Sequence, residues 1–315
     1  MTIRCAVIGV GYLGKFHAQK YAALEQAELV AVADPDPEAR HALAAELGCR
    51  AVADYRELLG DIDACSIVAP TTLHHRIASD CLEQGVHVLV EKPITTTLDE
   101  ADELIALARA NERVLQVGHL ERFNAAVLAL GDRVRGETLF IESHRLAPFK
   151  PRATDVNVVL DLMIHDIDII LDFVKSEISE IRASGASVLS DSIDIANARL
   201  EFANGCVANV TASRVSQKSE RKMRLFQRDS YIGIDFQDKT AELYRKGDGE
   251  MFPGVPAIDR ETLAGGDSDA LLDEIREFLR AIETGSAPAV SGEDGRRALA
   301  AAMEITRLLR GGPAL

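Results

Sequence analysis

The sequence predicts an α/β protein of two domains, a doubly wound parallel sheet followed by an α+β domain with a mainly antiparallel sheet. Strand-like and helix-like patterns alternate over the first 119 residues, which is typical of a parallel sheet covered by helices. Strand-like patterns then follow one another with few helices between them, as in an antiparallel sheet. At 315 residues the chain is long enough for two cores. We therefore predict domains at residues 1–119 and 120–315.

Composition limits the classes of partner and the compartment. Hydrophobic residues make up 47% of the chain, as in an ordinary globular protein. The net charge of −15 argues against nucleic acid and anionic membrane surfaces as main partners. The five cysteines are scattered, which favours reduced thiols over disulfides or a zinc site. No leader precedes the first strand and no apolar run reaches the roughly 20 residues of a membrane span. We expect a cytoplasmic protein without a metal.

A glycine-rich turn follows the first predicted strand, residues 3–8, and opens a helix. Gly9, Gly11 and Gly14 form the pattern GxGxxG in the strand–turn–helix context that holds a pyrophosphate at a helix N-terminus. A plain βα turn is the alternative for the glycines alone. Asp34 ends the next strand, 20 residues after Gly14, where an acid accepts hydrogen bonds from the adenosine ribose. We therefore predict a Rossmann domain that binds NAD, because the Asp34 carboxylate would repel the 2′-phosphate of NADP.

The alternation of strands and helices continues to residue 117. Ligands of parallel sheets bind beyond the carboxyl ends of the strands, so the residues there are candidate site residues. Lys92 follows a strand directly and precedes Pro93, and its ammonium could hold a substrate oxygen beside the cofactor. A surface lysine is the alternative. The predicted elements are strands at 28–33, 64–68, 86–90 and 113–117 and helices at 16–24, 43–47, 77–84 and 98–110. The predicted cofactor contacts are Gly9, Gly11, Tyr12, Leu13, Gly14, Asp34, Thr71, His74, Glu91 and Lys92.

A strongly apolar helix is predicted at residues 158–174. Its polar residues Asp161, His165, Asp168 and Asp172 are spaced so that they form one stripe along the helix. The stripe could face solvent as the narrow polar side of an amphipathic helix. Alternatively, it lines a cleft, where a histidine can accept a proton near neutral pH. Which interpretation is correct depends on the residues that the rest of the chain contributes to the cleft.

The second half otherwise consists of predicted strands, one loop and two closing helices. Residues 246–267 are rich in glycine and proline, which predicts a long loop. Ala196, Ala198, Leu200 and Phe202 alternate along one strand and suggest an apolar sheet face, which a homodimer or homotetramer would cover. The predicted strands are 139–146, 178–186, 193–202, 206–213, 222–227, 230–236 and 240–244, and the helices are 122–130, 269–283 and 293–309.

Two basic segments interrupt the acidic chain. One contains His144, Arg145, Lys150 and Arg152, and the other spans residues 214–228. Positive charge on a sheet edge discourages aberrant strand pairing. Arginine and lysine also suit a diphosphate, so the segments could instead form the rim of a nucleotide-sugar site. The sequence leaves both interpretations open.

Several motifs follow one another along the chain: the glycine turn with Asp34, then residues 70–74, 91–93 and 118–124, and finally the 161–168 segment DLMIHDID. In this order they resemble the Gfo/Idh/MocA family of sugar and polyol oxidoreductases. The resemblance implies an open-faced sheet in the second domain, a catalytic lysine at position 92 and an Asp/His pair at Asp161 and His165. It implies NAD-dependent oxidation of a secondary hydroxyl. His165 would be the general base, Lys92 would hold the oxygen and Asp161 would orient either the substrate or the histidine.

Within that family, residues 118–127 and 158–171 are similar to the branch that oxidises the 3-hydroxyl of UDP-N-acetylglucosamine to a 3-keto sugar. The resemblance thus implies a sugar or nucleotide-sugar substrate, with an inositol or a free aldose as the alternative. A sensor that binds NAD without catalysis is the alternative function, although it would lack a complete Lys/Asp/His set. The substrate contacts that we expect are Arg122, Asn124, Lys150, Asn157 and Asp161.

Overall fold

The structure is a computed structural model that describes residues 2–134, 138–149, 157–264, 266 and 268–311, without the side chains of Asp132 and Ala264. The chain divides into two compact units. The first is Met1–Leu120 with Asp269–Arg296, and the second is Glu121–Ser268 with Arg297–Leu315. The strands are β1 (Ile3–Ile8), β2 (Ala27–Ala33), β3 (Arg50–Val52), β4 (Ala64–Ile67), β5 (His87–Glu91), β6 (Leu115–Gly118), β7 (Thr138–Leu146), β8 (Ile178–Ala186), β9 (Ile195–Phe202), β10 (Val207–Ser213), β11 (Glu220–Gln227), β12 (Ser230–Asp235), β13 (Thr240–Phe252) and β14 (Val255–Ala264). The α-helices are α1 (Tyr12–Ala23), α2 (Pro37–Leu47), α3 (His74–Glu83), α4 (Leu98–Ala110), α5 (Ala125–Leu130), α6 (Ile164–Val174), α7 (Ala270–Thr284) and α8 (Gly292–Gly311).

The first unit contains a parallel six-stranded sheet in the order β3-β2-β1-β4-β5-β6. This is the order of a Rossmann fold, and the prediction of a doubly wound parallel sheet is confirmed. Two of its helices begin at side-chain caps: the Asp36 carboxylate accepts the Glu38 N–H at α2, and Thr97 and Glu100 form a capping box at α4. The sequence did not predict β3, because an edge strand of three residues is too short to show alternation.

Helix α7 belongs to the first unit, although the predicted second domain extended from residue 120 to the end of the chain. Ile275, Phe278 and Leu279 of α7 are buried in one cluster with Val7 and Tyr21. The amphipathic pattern predicted the helix itself. It could not predict which core the apolar face would join, since any complementary surface buries such a face equally well.

The second unit contains an eight-stranded sheet in the order β14-β13-β12-β11-β7-β10-β9-β8. All neighbouring strands are antiparallel except β7 and β10, so the predicted mainly antiparallel sheet is confirmed. The predicted loop at 246–267 is wrong, because β13 continues to Phe252 and β14 pairs with it. Pro253 and Gly254, with a positive φ of 81° at Gly254, form the turn of this hairpin.

One face of the second sheet packs into the core of the second unit. Ala196, Ala198, Leu200 and Phe202 of β9 are buried there in one cluster with residues of α5, α6 and α8. The prediction that these four residues form an exposed apolar face is therefore wrong. The alternation was real, but it marks the side of the strand that the helices cover.

The opposite face of this sheet carries a row of aromatic side chains. Phe140, Phe226, Tyr231 and Tyr244 lie directly opposite one another on β7, β11, β12 and β13, with ring centroids 5.2–5.8 Å apart. Arg260 of β14 lies over the Tyr244 ring at 5.7 Å. The aromatic row thus crosses four strands, and Arg260 extends it to a fifth.

Two classes of feature are absent from the described part of the chain. No described helix combines the length and apolarity needed to span a bilayer. The described residues also contain no group of three or more His, Cys, Asp or Glu side chains arranged to hold a metal ion.

Candidate functional site

The turn between β1 and α1 has the geometry that a bound pyrophosphate requires. Gly9 has a φ of +89°, and a Cβ there would lie 2.7 Å from the Val68 carbonyl carbon. A Cβ on Gly14 would overlap the carbonyl oxygen of Gly9, so the helix and the turn can approach only without a side chain. No heavy atom lies within 4 Å of the position of a Cβ on Gly11. Backbone N–H groups at the start of α1 are therefore accessible to a phosphate.

Asp34 follows β2 and is held in place by backbone donors. One carboxylate oxygen accepts the Val10 N–H at 2.8 Å, and the other accepts the Asp36 N–H at 2.8 Å. The Arg40 guanidinium donates to the Asp34 and Pro35 carbonyl oxygens at 3.2 and 3.0 Å. The acid that would accept a ribose hydroxyl is therefore fixed before any ligand binds.

A cavity of about 600 Å³ connects these two features. Its size lies within the usual range for a small-molecule or cofactor site. It reaches from the glycine turn past Asp34 to the ends of β3 and β4, and the residues present fit the adenosine and pyrophosphate of NAD. The polar and glycine residues of its lining are Gly9, Gly11, Asp34, Asp54, Tyr55, Arg56 and Arg76.

Four further predicted cofactor contacts lie around this turn and the next strand end. Tyr12 and Leu13 are exposed at the start of α1 by 72% and 48% of their surface, although both are large and apolar. Thr71 begins a short 3₁₀ turn, Thr71–Leu73, between β4 and α3. The buried His74 ring bridges two loops, since its nitrogens lie 2.9 Å from the Ala69 and Pro93 carbonyl oxygens. His74 thus supports the backbone of the turn that contains Lys92.

A chain of buried hydrogen bonds ends at Glu91, the last residue of β5. The His17 Nε2 lies 3.2 Å from one Glu91 carboxylate oxygen, and the other oxygen accepts the Lys92 backbone N–H at 3.2 Å. His17 Nδ1 lies 3.1 Å from the Ser66 hydroxyl, which lies 2.9 Å from the Tyr21 hydroxyl. Although burial disfavours its charged form, the contacts with His17 and Lys92 hold the pKa of Glu91 below its usual value.

Gly118 leaves the room that the Glu91 side chain occupies. It lies opposite Glu91 in the pairing of β5 with β6. A Cβ at Gly118 would lie 3.1 Å from the Glu91 carboxyl carbon and 3.2 Å from its Cα. The glycine of the motif at 118–124 is therefore explained by packing against Glu91.

The predicted central helix is present over the predicted range, but its first turn is not α-helical. Val159–Met163 is a π-helix, and α6 follows it. Asp161 lies in the π-helical turn and His165 in the first turn of α6, and both are half-buried. Single π turns in helices are frequent at functional sites. The predicted α-helical spacing of Asp161 and His165 is therefore changed by the wider turn.

The other half of the polar stripe forms ion pairs with Arg122. The guanidinium donates to both Asp168 carboxylate oxygens at 2.6 and 2.8 Å, and it lies 2.8 Å from Asp172. Asp168 is 1% exposed, so the interpretation of the stripe as a solvated face is wrong for this residue. Arg122, a predicted substrate contact, thus holds α6 against the segment before α5.

A second buried arginine anchors the same helix from the sheet. Arg145 of β7 donates to Asp166 at 2.8 and 3.2 Å and to Glu121 at 2.8 Å. Although burial disfavours the charged guanidinium, the two carboxylates hold the pKa of Arg145 above its usual value. Removing one partner from such a group leaves a buried charge uncompensated.

The basic segments are largely neutralised by carboxylates of the second unit. Arg214 is buried against Asp194 at 2.8 Å, whereas Lys222 and Arg224 pair with Asp235 and Glu142 at 3.4 and 3.2 Å. The described residues of the basic segments therefore do not form a rim of unpaired cations for a diphosphate. Lys150 and Arg152 lie outside the described residues.

Two predicted substrate contacts are used as helix caps. The Asn124 side-chain oxygen accepts the Ala126 N–H at 3.0 Å, and its amide donates to Phe236 O at 2.9 Å. The Asn157 side-chain oxygen accepts the Val159 N–H at 3.0 Å. Both positions were read as ligand contacts, but an asparagine before a helix is also a preferred N-cap.

Residues 3–119 match the model of the Gfo/Idh/MocA oxidoreductase family with an NAD-binding Rossmann fold, and residues 129–230 match the model of the Gfo/Idh/MocA C-terminal domain. The chain is 43% identical over 303 residues to UDP-N-acetylglucosamine 3-dehydrogenase of Acidithiobacillus ferrooxidans, covering 96% of each chain. The chain belongs to the Gfo/Idh/MocA family. It is therefore an oxidoreductase with an NAD-binding Rossmann domain, as predicted.

The likeness to solved structures and to more distant relatives covers nearly the whole chain. The structure of the A. ferrooxidans enzyme superposes with a TM-score of 0.93 at 42% identity, covering 98% of both chains. Myo-inositol 2-dehydrogenase of Thermotoga maritima is 27% identical over 94% of this chain and 93% of its own. A scyllo-inositol dehydrogenase from Lactobacillus casei, solved with bound NAD(H), has a TM-score of 0.81 at 23% identity over 98% and 97% of the two chains and shares the fold.

Sequence analysis missed the residues beneath the Glu91–Lys92 turn of this family member. His17 and Tyr21 lie one helical turn apart in α1, on the face that the sheet buries. Two polar side chains at this spacing on a buried helix face need hydrogen-bond partners. That signal was available, but nothing local could identify Ser66 and Glu91 as the partners.

Proposed function

We propose that the protein oxidises the 3-hydroxyl of UDP-N-acetylglucosamine to a 3-keto sugar with NAD as the hydride acceptor. The observation that carries the proposal is the 43% identity to UDP-N-acetylglucosamine 3-dehydrogenase over 96% of both chains. Relatives named as inositol 2-dehydrogenases reach only 27% identity over comparable lengths. The substrate class of the nearer relative is therefore the better hypothesis for this chain.

A secondary hydroxyl is a very weak acid, and this is the difficulty that the protein must overcome. NAD, when bound, accepts the hydride from the carbon that carries the hydroxyl. His165 accepts the hydroxyl proton as general base, while the Lys92 ammonium stabilises negative charge on the same oxygen. Asp161 orients the sugar or the His165 ring. The C–H electrons leave as hydride and the O–H electrons form the carbonyl, so the step is balanced.

The ion pairs of the central helix support these roles from one side. Arg122 binds Asp168 and Asp172, and Arg145 binds Asp166. Arg145 is buried and the Arg122 side chain is only 9% exposed, and both bind the helix that carries His165, so they restrict its rotation and translation. A general base works only within hydrogen-bond reach of its proton, which gives this restraint a use in the reaction.

Substrate and roles can be tested together by following NADH formation. Wild type should oxidise UDP-N-acetylglucosamine and leave myo-inositol and free N-acetylglucosamine almost unchanged. His165→Ala and Lys92→Ala should each lower turnover by about a hundred- to ten-thousand-fold while the dissociation constant of NAD stays nearly constant. His41→Ala, at an exposed position of α2, is the matched control and should be neutral. Turnover of myo-inositol alone would overturn the substrate, and nearly full turnover in His165→Ala would overturn the mechanism.

A homodimer or homotetramer and a cytoplasmic location complete the proposal. The row of Phe140, Phe226, Tyr231 and Tyr244, in which Phe226 is exposed and the other rings are half-buried, supports a second copy as partner, because monomers rarely expose large apolar patches. Light scattering should give at least twice the monomer mass for wild type and a lower mass for Phe226→Asp. A monomeric wild type would contradict the assembly. The five free cysteines, four of them buried, suit a reducing compartment.

A further inference from the structure

With a neutral His17 ring, the hydrogen bonds of the buried chain beneath Glu91 all run in one direction. A carboxylate can only accept, so His17 Nε2 carries the hydrogen that points to Glu91 at 3.2 Å. In that tautomer Nδ1 accepts, and the Ser66 hydroxyl donates to it at 3.1 Å. Tyr21 must then donate to Ser66 at 2.9 Å. Burial raises the pKa of Tyr21, which keeps the proton that this direction requires.

The chain is built from three elements of the first unit and contains no solvent-exposed link. His17 and Tyr21 lie on α1, Ser66 on β4 and Glu91 at the end of β5. His17, Tyr21 and Ser66 are each at most 1% exposed. Such a network is costly unless every member is satisfied, and a satisfied network holds its members rigidly. The free-energy cost of burying these polar groups is explained if the network has to position a residue at its Glu91 end accurately.

Glu91 transmits this rigidity to Lys92. One Glu91 oxygen accepts from His17 and the other from the backbone N–H of Lys92 at 3.2 Å, so the carboxylate joins the ring to the peptide. Gly118 lies opposite Glu91 on β6 and leaves space for its side chain, since a Cβ there would lie 3.1 Å from the carboxyl carbon. On the other flank, His74 lies 2.9 Å from the Pro93 carbonyl oxygen. The backbone on both sides of the Lys92 side chain is thus fixed by buried contacts.

We propose that His17 is a positioning residue for Lys92, acting through Glu91 and supported by Ser66 and Tyr21. The inference rests on the proposed function, because it assigns His17 a role only if Lys92 acts on the substrate oxygen. His17 touches neither the reacting atoms nor the substrate. It fixes the rotation of the Glu91 carboxylate, which fixes the Lys92 peptide and thereby the root of the lysine side chain.

The first test separates positioning from a loss of folded enzyme. His17→Phe keeps a ring and removes both nitrogens, whereas His17→Gln keeps one donor and one acceptor. We expect kcat for UDP-N-acetylglucosamine to fall about hundredfold in His17→Phe, as for a small misplacement of a reacting group, and to recover substantially in His17→Gln. The dissociation constant of NAD should change less than about twofold. His87→Phe, which makes the same exchange of rings at the other end of β5, is the matched control and should keep its turnover.

An isotope effect and a double-mutant cycle give readouts that a purely structural role would not move. With substrate deuterated at C3, His17→Phe should show a larger isotope effect on kcat, whereas a smaller active fraction would leave it unchanged. In the Lys92→Ala background, His17→Phe should cost less than about twofold further, because its target is gone. If the losses in kcat from Lys92→Ala and His17→Phe instead multiply in the double variant, the inference is overturned.

Failure of the positioning role of His17 can be distinguished from failure of the proposed function. Full turnover in Lys92→Ala removes the role of Lys92, whereas loss in Lys92→Ala with full turnover in His17→Phe removes only the role of His17. If wild type does not oxidise UDP-N-acetylglucosamine, crystal structures of wild type and His17→Phe still decide. The Glu91 carboxylate and the Lys92 peptide should shift in the variant, and unmoved positions would overturn the inference.

Discussion

Strand β5 has a histidine contact at each end, and the two contacts have opposite chemistry. At its start, His87 Nδ1 accepts the Val114 N–H at 2.9 Å, while the Arg113 guanidinium lies 3.2 Å from Nε2. At its end, His17 faces the Glu91 carboxylate at 3.2 Å. One ring thus lies beside a cation and the other beside an anion, although the same strand supports both.

The difference shows that the neighbouring charge determines the role of a histidine side chain. Burial first, and then Arg113, lower the pKa of His87 to about 4, so its ring stays neutral and serves stability. The carboxylate beside His17 instead fixes a tautomer that connects Tyr21 to Lys92. This chain of polar partners ends at the carboxyl end of the strand, where ligands bind in such sheets. We expect variants at the two ends to separate stability from turnover.

The largest effect should appear at the start of the strand, as pH-dependent stability. The pKa of His87 falls from 6.5 to about 4 on folding, so the unfolded chain binds a proton in this window and the folded one does not. Stability from His87 is complete above pH 6.5 and is lost as the pH falls towards 4, by about 3 kcal/mol at most. Urea unfolding of wild type and His87→Gln at pH 7 and pH 4 measures this. Equal losses in both proteins would contradict the assignment.

A smaller effect should appear at the end of the strand, on turnover. Gly118→Ala places a Cβ 3.1 Å from the Glu91 carboxyl carbon, which has to move. We expect kcat to fall about tenfold, equivalent to about 1.4 kcal/mol in the barrier. Gly60→Ala is the control, since no heavy atom lies within 4 Å of its Cβ. Steady-state kinetics with NAD in excess should show the lower kcat of Gly118→Ala. Equal kcat values for Gly118→Ala and Gly60→Ala would show that the position of Glu91 does not affect turnover.

The smallest effect should come from the far end of the buried chain. Tyr21→Phe removes the donor to Ser66 but leaves the His17–Glu91 contact in place. The free energy of unfolding should fall by about 1 kcal/mol, typical of one buried hydrogen bond. Turnover should fall less than about threefold. A loss as large as that of His17→Phe would show that the whole chain, and not His17 alone, sets the position of Lys92.

Local chemistry explains which features could be predicted from sequence. The glycine turn and Asp34 were predictable because each residue is required by its own turn or strand end. The hairpin of β13 and β14 was missed because glycine and proline were read as a loop, although Pro253 and Gly254 form its turn.

The contacts that hold the candidate site residues in place join residues far apart in the sequence. His17 reaches Glu91 across 74 residues, and Arg122 reaches Asp168 across 46. Hydrophobic periodicity predicts which face of an element is buried but carries no information about the partner on that face. The polar stripe of the central helix was therefore visible, whereas its pairing with Arg122 was not.

The position of α7 has a consequence for how the protein is made. The first unit joins Met1–Leu120 to Asp269–Arg296, so a ribosome synthesises all of residues 121–268 before it releases the helix that completes the first core. Until then the surface that receives Ile275, Phe278 and Leu279 is uncovered on the nascent chain. Chains fold from the N-terminus during synthesis, and exposed apolar surface favours aggregation. The core of the Rossmann unit, although most of it is translated first, is therefore completed only after residues 121–268 have been made.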